Sequence, residues 1–254
     1  MRVTVCELPH EPEALASAWA GLCQETSREG SELVLLPEFA FVIPVWETEQ
    51  FDPTHWDRAV AQNEAWLRRL PELGARRVVS TRPVTIDGRT YNQGYLWTAA
   101  DGLRPLRRKY FLPTEPGWWE SHWFERGDSA FPVFQDGELS FGLNICTELW
   151  ALETYAVYSA LNAEVILSPR ASGGASTAKW LSVGVVAAAR SGAFSLSSNR
   201  VDSGVYGGVG WIINPEGKVL ATTSRDAPFA TVDIDINESV ASRSNYPRYV
   251  FGDD

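Results

Sequence analysis

The sequence predicts an α/β protein: a layered sheet with helices packed outside it. Two observations carry this. The chain opens strand–helix–strand, with alternating Arg2–Glu7, a helical stretch over Glu11–Gly30, and the short apolar run Leu33–Leu36. Such a run is what a strand covered on both faces looks like. Composition agrees: 254 residues at 44% hydrophobic content supply one sizeable core. No linker, low-complexity run or charge block divides the chain, so residues 1–254 read as a single domain.

The elements follow in order. In the first helix Leu15, Ala18, Trp19, Leu22 and Cys23 recur at helical spacing, and Gly30 marks its stop. Residues 40–55, with Pro44 and Pro53, read as a loop. Trp56–Leu70 reads as a second helix and Arg77–Arg82 as a strand. Asp87-Gly88 predicts a hairpin turn into Tyr91–Thr98, and Asp101-Gly102 a second turn into Leu106–Tyr110. Residues 111–130 hold two prolines, two glycines and three tryptophans. A loop of that length is uncommon unless it has a function. Then come a buried strand Phe141–Ile145, a helix Leu152–Ala163, a strand Glu164–Ser168, a helix Trp180–Ser191 and a strand Ala193–Ser198. Trp211–Asn214 and Lys218–Ala221 flank a hairpin, and Thr231–Ile236 is the last strand. The tail 237–254 lacks periodicity and is expected to pack on a neighbouring subunit.

Composition excludes several functions. A net charge of −10 argues against nonspecific nucleic-acid or anionic-membrane binding, which need a cationic surface. The N-terminus shows no signal-peptide pattern, and no apolar run approaches a membrane span. Cys6, Cys23 and Cys146 are odd in number and far apart, with no CxxC pair and no zinc-like spacing to His10, His55 and His122. This points to a reducing cytoplasm and to no metal or cofactor.

Three strand ends each deliver one reactive group. Leu33–Leu36 leads to Glu38, Leu106–Tyr110 carries Lys109, and Phe141–Ile145 leads to Cys146. Ligands of such sheets sit beyond strand ends. A carboxylate in a partly dry pocket accepts a thiol proton, and an ammonium favours the thiolate and a developing oxyanion. The sulfur then forms a covalent acyl intermediate. Each residue also has a plain alternative: Glu38 a solvated loop carboxylate, Cys146 a core residue, and Lys109 part of a wet basic run with Arg107 and Arg108.

The blocks LPEF at 36–39, RRKYFLP at 107–113 and NICTELW at 144–150 resemble the signature blocks of the nitrilase, or carbon–nitrogen hydrolase, superfamily. Tyr91-Asn92, Glu153, Trp180, Asn199-Arg200 and the hairpin at 207–221 match later landmarks, so the resemblance spans nearly the whole chain. An ordered set of motifs is far more specific than any one of them. The resemblance implies a four-layer α-β-β-α sandwich assembled as a homodimer or larger homo-oligomer. It implies Glu38 as general base, Lys109 as cationic stabiliser, Cys146 as nucleophile and the Thr147 N–H as an oxyanion donor. It also implies a second glutamate. Glu120 is chosen for it, four residues before Phe124 and seven before Gly127-Asp128, over Glu115 and Glu125.

The substrate expected is a small amide or nitrile. Thr147-Glu148 after the cysteine matches neither the aromatic–Asp of amidase and carbamoylase branches nor the Trp-Glu of nitrilases. Where carbamoylases of amino acids place arginines, this chain has Leu149 and Trp150. A carboxylate there would lie unpaired, which favours a neutral or apolar acyl group; Arg170 is the residue able to hold an anion instead. Trp118, Trp119, Trp123 and Trp150 suggest an aromatic-lined pocket or, equally, packing. Arg190-Ser191 stands where relatives often have Glu-Asn. The length lacks the C-terminal extension of true nitrilases. A primary amide therefore ranks first, a nitrile second, with an N-carbamoyl amine as a further alternative. Acyl transfer and noncatalytic binding use the same fold. A papain-like peptidase needs a histidine downstream of its cysteine, and none follows Cys146.

Overall fold

The computed structural model describes residues 1–251. Strand β1 (Arg2–Leu8) is followed by helix α1 (Pro12–Glu29), which starts on a proline and ends at Gly30 with φ 65°, a left-handed cap. Next come β2 (Leu33–Leu35), α2 (Pro53–Leu67), β3 (Arg77–Ile86), β4 (Arg89–Thr98) and β5 (Gly102–Arg108). Pro53, expected in a loop, is the first residue of α2, where its missing N–H costs nothing; the Asp52 side chain caps that helix. The β3–β4 turn at Asp87-Gly88 has φ of 50° and 75°, the left-handed pair that a tight hairpin needs.

The second half has the one-turn helix α3 (Glu120–Trp123), then β6 (Phe134–Asp136), β7 (Leu139–Leu143), α4 (Glu153–Ala160) and β8 (Val165–Arg170). After these come α5 (Thr177–Ser191), β9 (Phe194–Arg200), β10 (Trp211–Ile213), β11 (Val219–Thr222), β12 (Phe229–Asp233) and α6 (Asn237–Ser242).

The strands form two six-stranded sheets. The first runs β5-β4-β3-β2-β1-β12 and the second β6-β7-β8-β9-β10-β11. A short parallel contact, Glu7 with Asn199 and Leu8 with Arg200, joins them. Alternation sorts the side chains. Val3, Val5, Leu33, Leu35 and Val79 meet Phe141, Leu143, Val165, Leu167 and Leu196 in the core between the sheets. Cys6, Leu8, Val34 and Val78 face the other way, onto Leu15, Trp19 and Leu22 of α1. Ile166 packs outward with Tyr155, Tyr158 and Ala187 of α4 and α5. The order is helix, sheet, sheet, helix, the four-layer α/β sandwich expected. Gly94 on β4 admits the Leu143 side chain of the opposing sheet; a Cβ there would lie 2.3 Å from a Leu143 methyl.

One expectation is corrected. Strand β8 does not stop at Ser168 but continues through Pro169 to Arg170, paired with Ser198 and Asn199 of β9. Its pairing with β7 ends at Leu167, so Pro169 stands where no strand needs its N–H on that side. The start of the tail packs on its own chain: Ser239 and Ser242 donate to the Gly192 carbonyl, and Arg248 to those of Ala189, Pro215 and Ser242. The last residues of that expected segment, 252–254, lie outside the described residues. Among the described residues, no helix is long and apolar enough to cross a membrane.

Candidate active site

Strands β2, β3 and β5 point one way, as do β7, β8 and β9, and all present their C-terminal ends to one edge of the sandwich. Glu38 lies three residues past β2, Lys109 one past β5, Cys146 three past β7 and Ala171 one past β8. The site is therefore a seam. One sheet supplies the carboxylate and ammonium, the other the thiol and the carbonyl that faces it.

Lys109 and Glu38 are fully buried and Glu120 nearly so. The Lys109 Nζ donates to Glu38 Oε1 at 2.8 Å and to the Glu120 carboxylate at 2.7 Å. Asn92, on β4, donates its Nδ2 to the same Glu38 Oε1 at 2.8 Å. The second oxygen, Glu38 Oε2, is buried and accepts no hydrogen bond from the described residues. Two donors thus fix the carboxylate while one oxygen stays available as an acceptor.

Cys146 opens a single 3-10 turn, Cys146–Trp150, with φ of 48°. A non-glycine residue pays about 1–3 kcal/mol for that conformation, and such strain concentrates at functional sites. The thiol donates to the Ala171 carbonyl at 3.7 Å. The Thr147 N–H belongs to the first turn, where backbone donors lack intrahelical partners. Asn144 holds the turn by donating to the Glu148 carbonyl and to Thr154 Oγ1.

The charges are strongly coupled. Burial alone would lower the Lys109 pKa, but Glu120 and Glu38 outweigh it and hold the ammonium above its ordinary value. Burial pushes the Glu120 carboxyl up to about 8; Lys109 opposes this, and Glu38 and Glu148 add to it. Two carboxylates sharing one ammonium in a dry pocket carry net negative charge, so a retained proton is the expected response. Burial raises the Cys146 thiol and Glu38 and Glu120 add to this, while Lys109 works the other way. The resting group is a thiol, and proton transfer to a neighbouring carboxylate is what such a set of groups can do.

A family model described as carbon-nitrogen hydrolase matches residues 2–243. The chain belongs to the carbon–nitrogen hydrolase family. Among its relatives is a citrullinase of Francisella tularensis, 26% identical over 180 residues, which are 68% of this chain and 62% of that protein. The chain thus spans about three fifths of that relative. An N-carbamoylputrescine amidase of Solanum tuberosum is 32% identical over 128 residues, 44% of this chain and 43% of that protein. Among solved structures, a carbon–nitrogen hydrolase of Helicobacter pylori superposes with a TM-score of 0.86 at 18% identity, over 98% of this chain and 94% of that one. An amidase of Nesterenkonia sp. AN1, solved as a double mutant with acrylamide, superposes at 0.75 and 18% identity, over 99% of this chain and 95% of that one. At that identity the likeness establishes the fold alone.

The other residues weighed from the sequence, including the two rejected glutamates, fall elsewhere. Glu115 and Glu125 are exposed, and neither contacts Lys109. Arg170 is buried, with its guanidinium donating to Ser197, Ser172 and the Val209 carbonyl, 4.1 Å over the Trp211 ring. Three of its five N–H donors thus go to the scaffold. Trp119 packs against His122, and its backbone N–H donates to the Trp46 carbonyl. Trp118 packs on Tyr206, and the buried Trp123 donates to the Thr48 carbonyl. Trp150 is half exposed and, with Phe111, Thr147 and Arg126, lines a cleft of about 500 Å³. His122 hydrogen-bonds the Glu49 carbonyl at the surface.

Two residues escaped the sequence reading. Asn92 was visible only as a motif neighbour of Tyr91, with no sign of its contact to Glu38. Arg107 was read as part of a wet basic run, yet it is buried and paired with Glu148. Strand alternation could have found it, because Arg107 and Lys109 lie on one face and Arg108 on the other.

Proposed function

We propose that this enzyme hydrolyses a primary amide, –CO–NH2, to a carboxylic acid and ammonia through a Cys146 thioester. The observation that supports this best is the buried Lys109 ammonium held between two carboxylates, with Glu38 Oε2 left free as an acceptor. The Cys146 thiol gives its proton to Glu38 as sulfur attacks the carbonyl carbon. The oxyanion so formed is stabilised by the Lys109 ammonium and the Thr147 N–H. Glu38 returns the proton to the nitrogen, the C–N bond breaks and ammonia leaves. Glu38 then takes a proton from water, the hydroxide attacks the thioester, and the acid departs with the thiol restored. Glu120 accepts from the Lys109 ammonium and keeps it oriented. The half-exposed Trp150 and Phe111 at the cleft suit a neutral or apolar acyl group.

A second reading, an N-carbamoyl amine in place of a simple amide, is favoured by the names of the citrullinase and N-carbamoylputrescine amidase relatives. Both readings end in the same –CO–NH2 group and use the same residues. The test is ammonia release from a panel of aliphatic amides, arylacetamides, N-carbamoyl amines and the matching nitriles, with intact-mass detection of an acyl adduct. Adduct and ammonia from wild type, both absent in Cys146→Ala, are expected with amides. Turnover of nitriles but not of amides would overturn this reading.

A further inference from the structure

Glu148 is a buried carboxylate that the proposed chemistry does not use. Its Oε2 accepts the Ile145 N–H at 2.9 Å and an Arg107 Nη1 hydrogen. Its Oε1 accepts the Tyr110 N–H at 2.7 Å and Arg107 Nη2 at 2.9 Å. Both backbone donors are telling. Ile145 is bonded to Cys146, and Tyr110 is bonded to Lys109. One carboxylate thus spans the seam, tying the chain beside the thiol to the chain beside the ammonium. All of its acceptor sites are filled. The Arg107 guanidinium is itself fixed, 4.0 Å over the Phe131 ring and donating to the Ala130 carbonyl.

Stability alone is a poor account of this arrangement. A buried ion pair roughly breaks even against apolar replacements of the same size. What apolar side chains would not do is take two specific N–H groups from opposing sheets with one rigid acceptor. Resting on the thiol-amidase reading, we propose that Glu148 and Arg107 are positioning residues that set the separation of Cys146 from Lys109. Arg107 has a further consequence. It neutralises Glu148, whose negative charge otherwise adds to that already around Glu120.

The test compares wild type with Glu148→Gln and Arg107→Lys. A glutamine offers one oxygen and must release one of the two N–H groups. A lysine keeps the charge but loses the fork. For each, kcat and KM are measured on the best amide, and the rate of Cys146 alkylation by iodoacetamide is followed against pH by peptide mass mapping. A misplacement of about 1 Å costs about 100-fold in rate. Glu148→Gln is expected to lose about that in kcat with KM little changed, and Arg107→Lys about 10-fold. Both should move the alkylation profile to higher pH, in the order wild type, Arg107→Lys, Glu148→Gln. A lowered melting temperature with unchanged kcat and an unchanged alkylation profile would overturn the proposal. If Glu148→Gln does not fold, Arg107→Lys decides alone. Alkylation needs no substrate. A wild type silent on every amide would therefore count against the function while the alkylation comparison still decided the role of Glu148.

Discussion

Cys6 and Cys146 are both buried, and each thiol donates to a backbone carbonyl, Leu35 at 3.4 Å and Ala171 at 3.7 Å. Burial raises both thiols. Their surroundings differ in two ways. Cys6 lies mid-strand in β1 on an ordinary backbone, whose N–H donates to the Ser198 hydroxyl. Cys146 lies past a strand end at φ 48°, beside an ammonium and two carboxylates. Burial and a hydrogen bond therefore do not make a nucleophile. A nearby proton acceptor and a cation do.

The sharpest way to break this contrast is to remove each sulfur in turn. Cys146→Ala should lower ammonia release by about 10⁴-fold or more, the scale of losing a nucleophile. Equal turnover by this variant and wild type would end the thioester mechanism. Glu38→Gln keeps the shape and removes the acceptor. It should cost about 10³-fold in kcat, the range of general-base catalysis, with intact-mass spectra showing no accumulated adduct. Lys109→Met should cost about 100-fold in kcat/KM through the lost oxyanion contact. It also strands two buried carboxylates, so denaturant melts at neutral pH should show a loss of about 3–5 kcal/mol, shrinking in acid.

A pH series separates the regions further. The Glu120 pKa is raised in the folded protein, so between the usual carboxylate range and about 8 the native state binds more protons than the unfolded one. Stability from this group is present in acid and is lost as pH rises through that window. Melting temperatures of wild type should fall from about pH 5 to 8, and Glu120→Gln should flatten that slope. The smallest effect is the mirror of the first. Cys6→Ala should leave turnover near wild type and cost about 1–2 kcal/mol in denaturant melts, as a small core truncation does. A large loss of turnover here would erase the distinction between the two thiols.

Much of this was legible in the residues. Apolar periodicity placed α1, α5 and the buried strands, because burial on both faces leaves an unmistakable run. The motif blocks singled out Glu38, Lys109, Cys146 and Glu120; Lys109 bonds both glutamates, and Cys146 lies within the field of all three. What sequence could not show was which polar residues turn inward. Arg107 and Arg108 are adjacent and identical, yet one is buried against Glu148 and the other stacks over Tyr91 near the surface. Arg170 looked free to hold an anion because β8 was expected to end before it. The strand continues, and the buried guanidinium bonds Ser197 of β9, Ser172 and the Val209 carbonyl. Asn92 reaches Glu38 from a strand more than fifty residues later in the chain, a contact local pattern cannot encode.

The interlock at Gly94 and Leu143 has a consequence for how this protein should fail. The proposed reacting groups are divided between two sheets held at their spacing by side-chain interdigitation and the Glu148 bridge rather than by a disulfide. A swollen state that keeps its strands but loosens their packing would separate sulfur from ammonium at once. In rising urea, turnover should therefore disappear before far-ultraviolet circular dichroism changes. The proposed turnover would serve as a gauge, at ångström scale, of the distance between the two sheets.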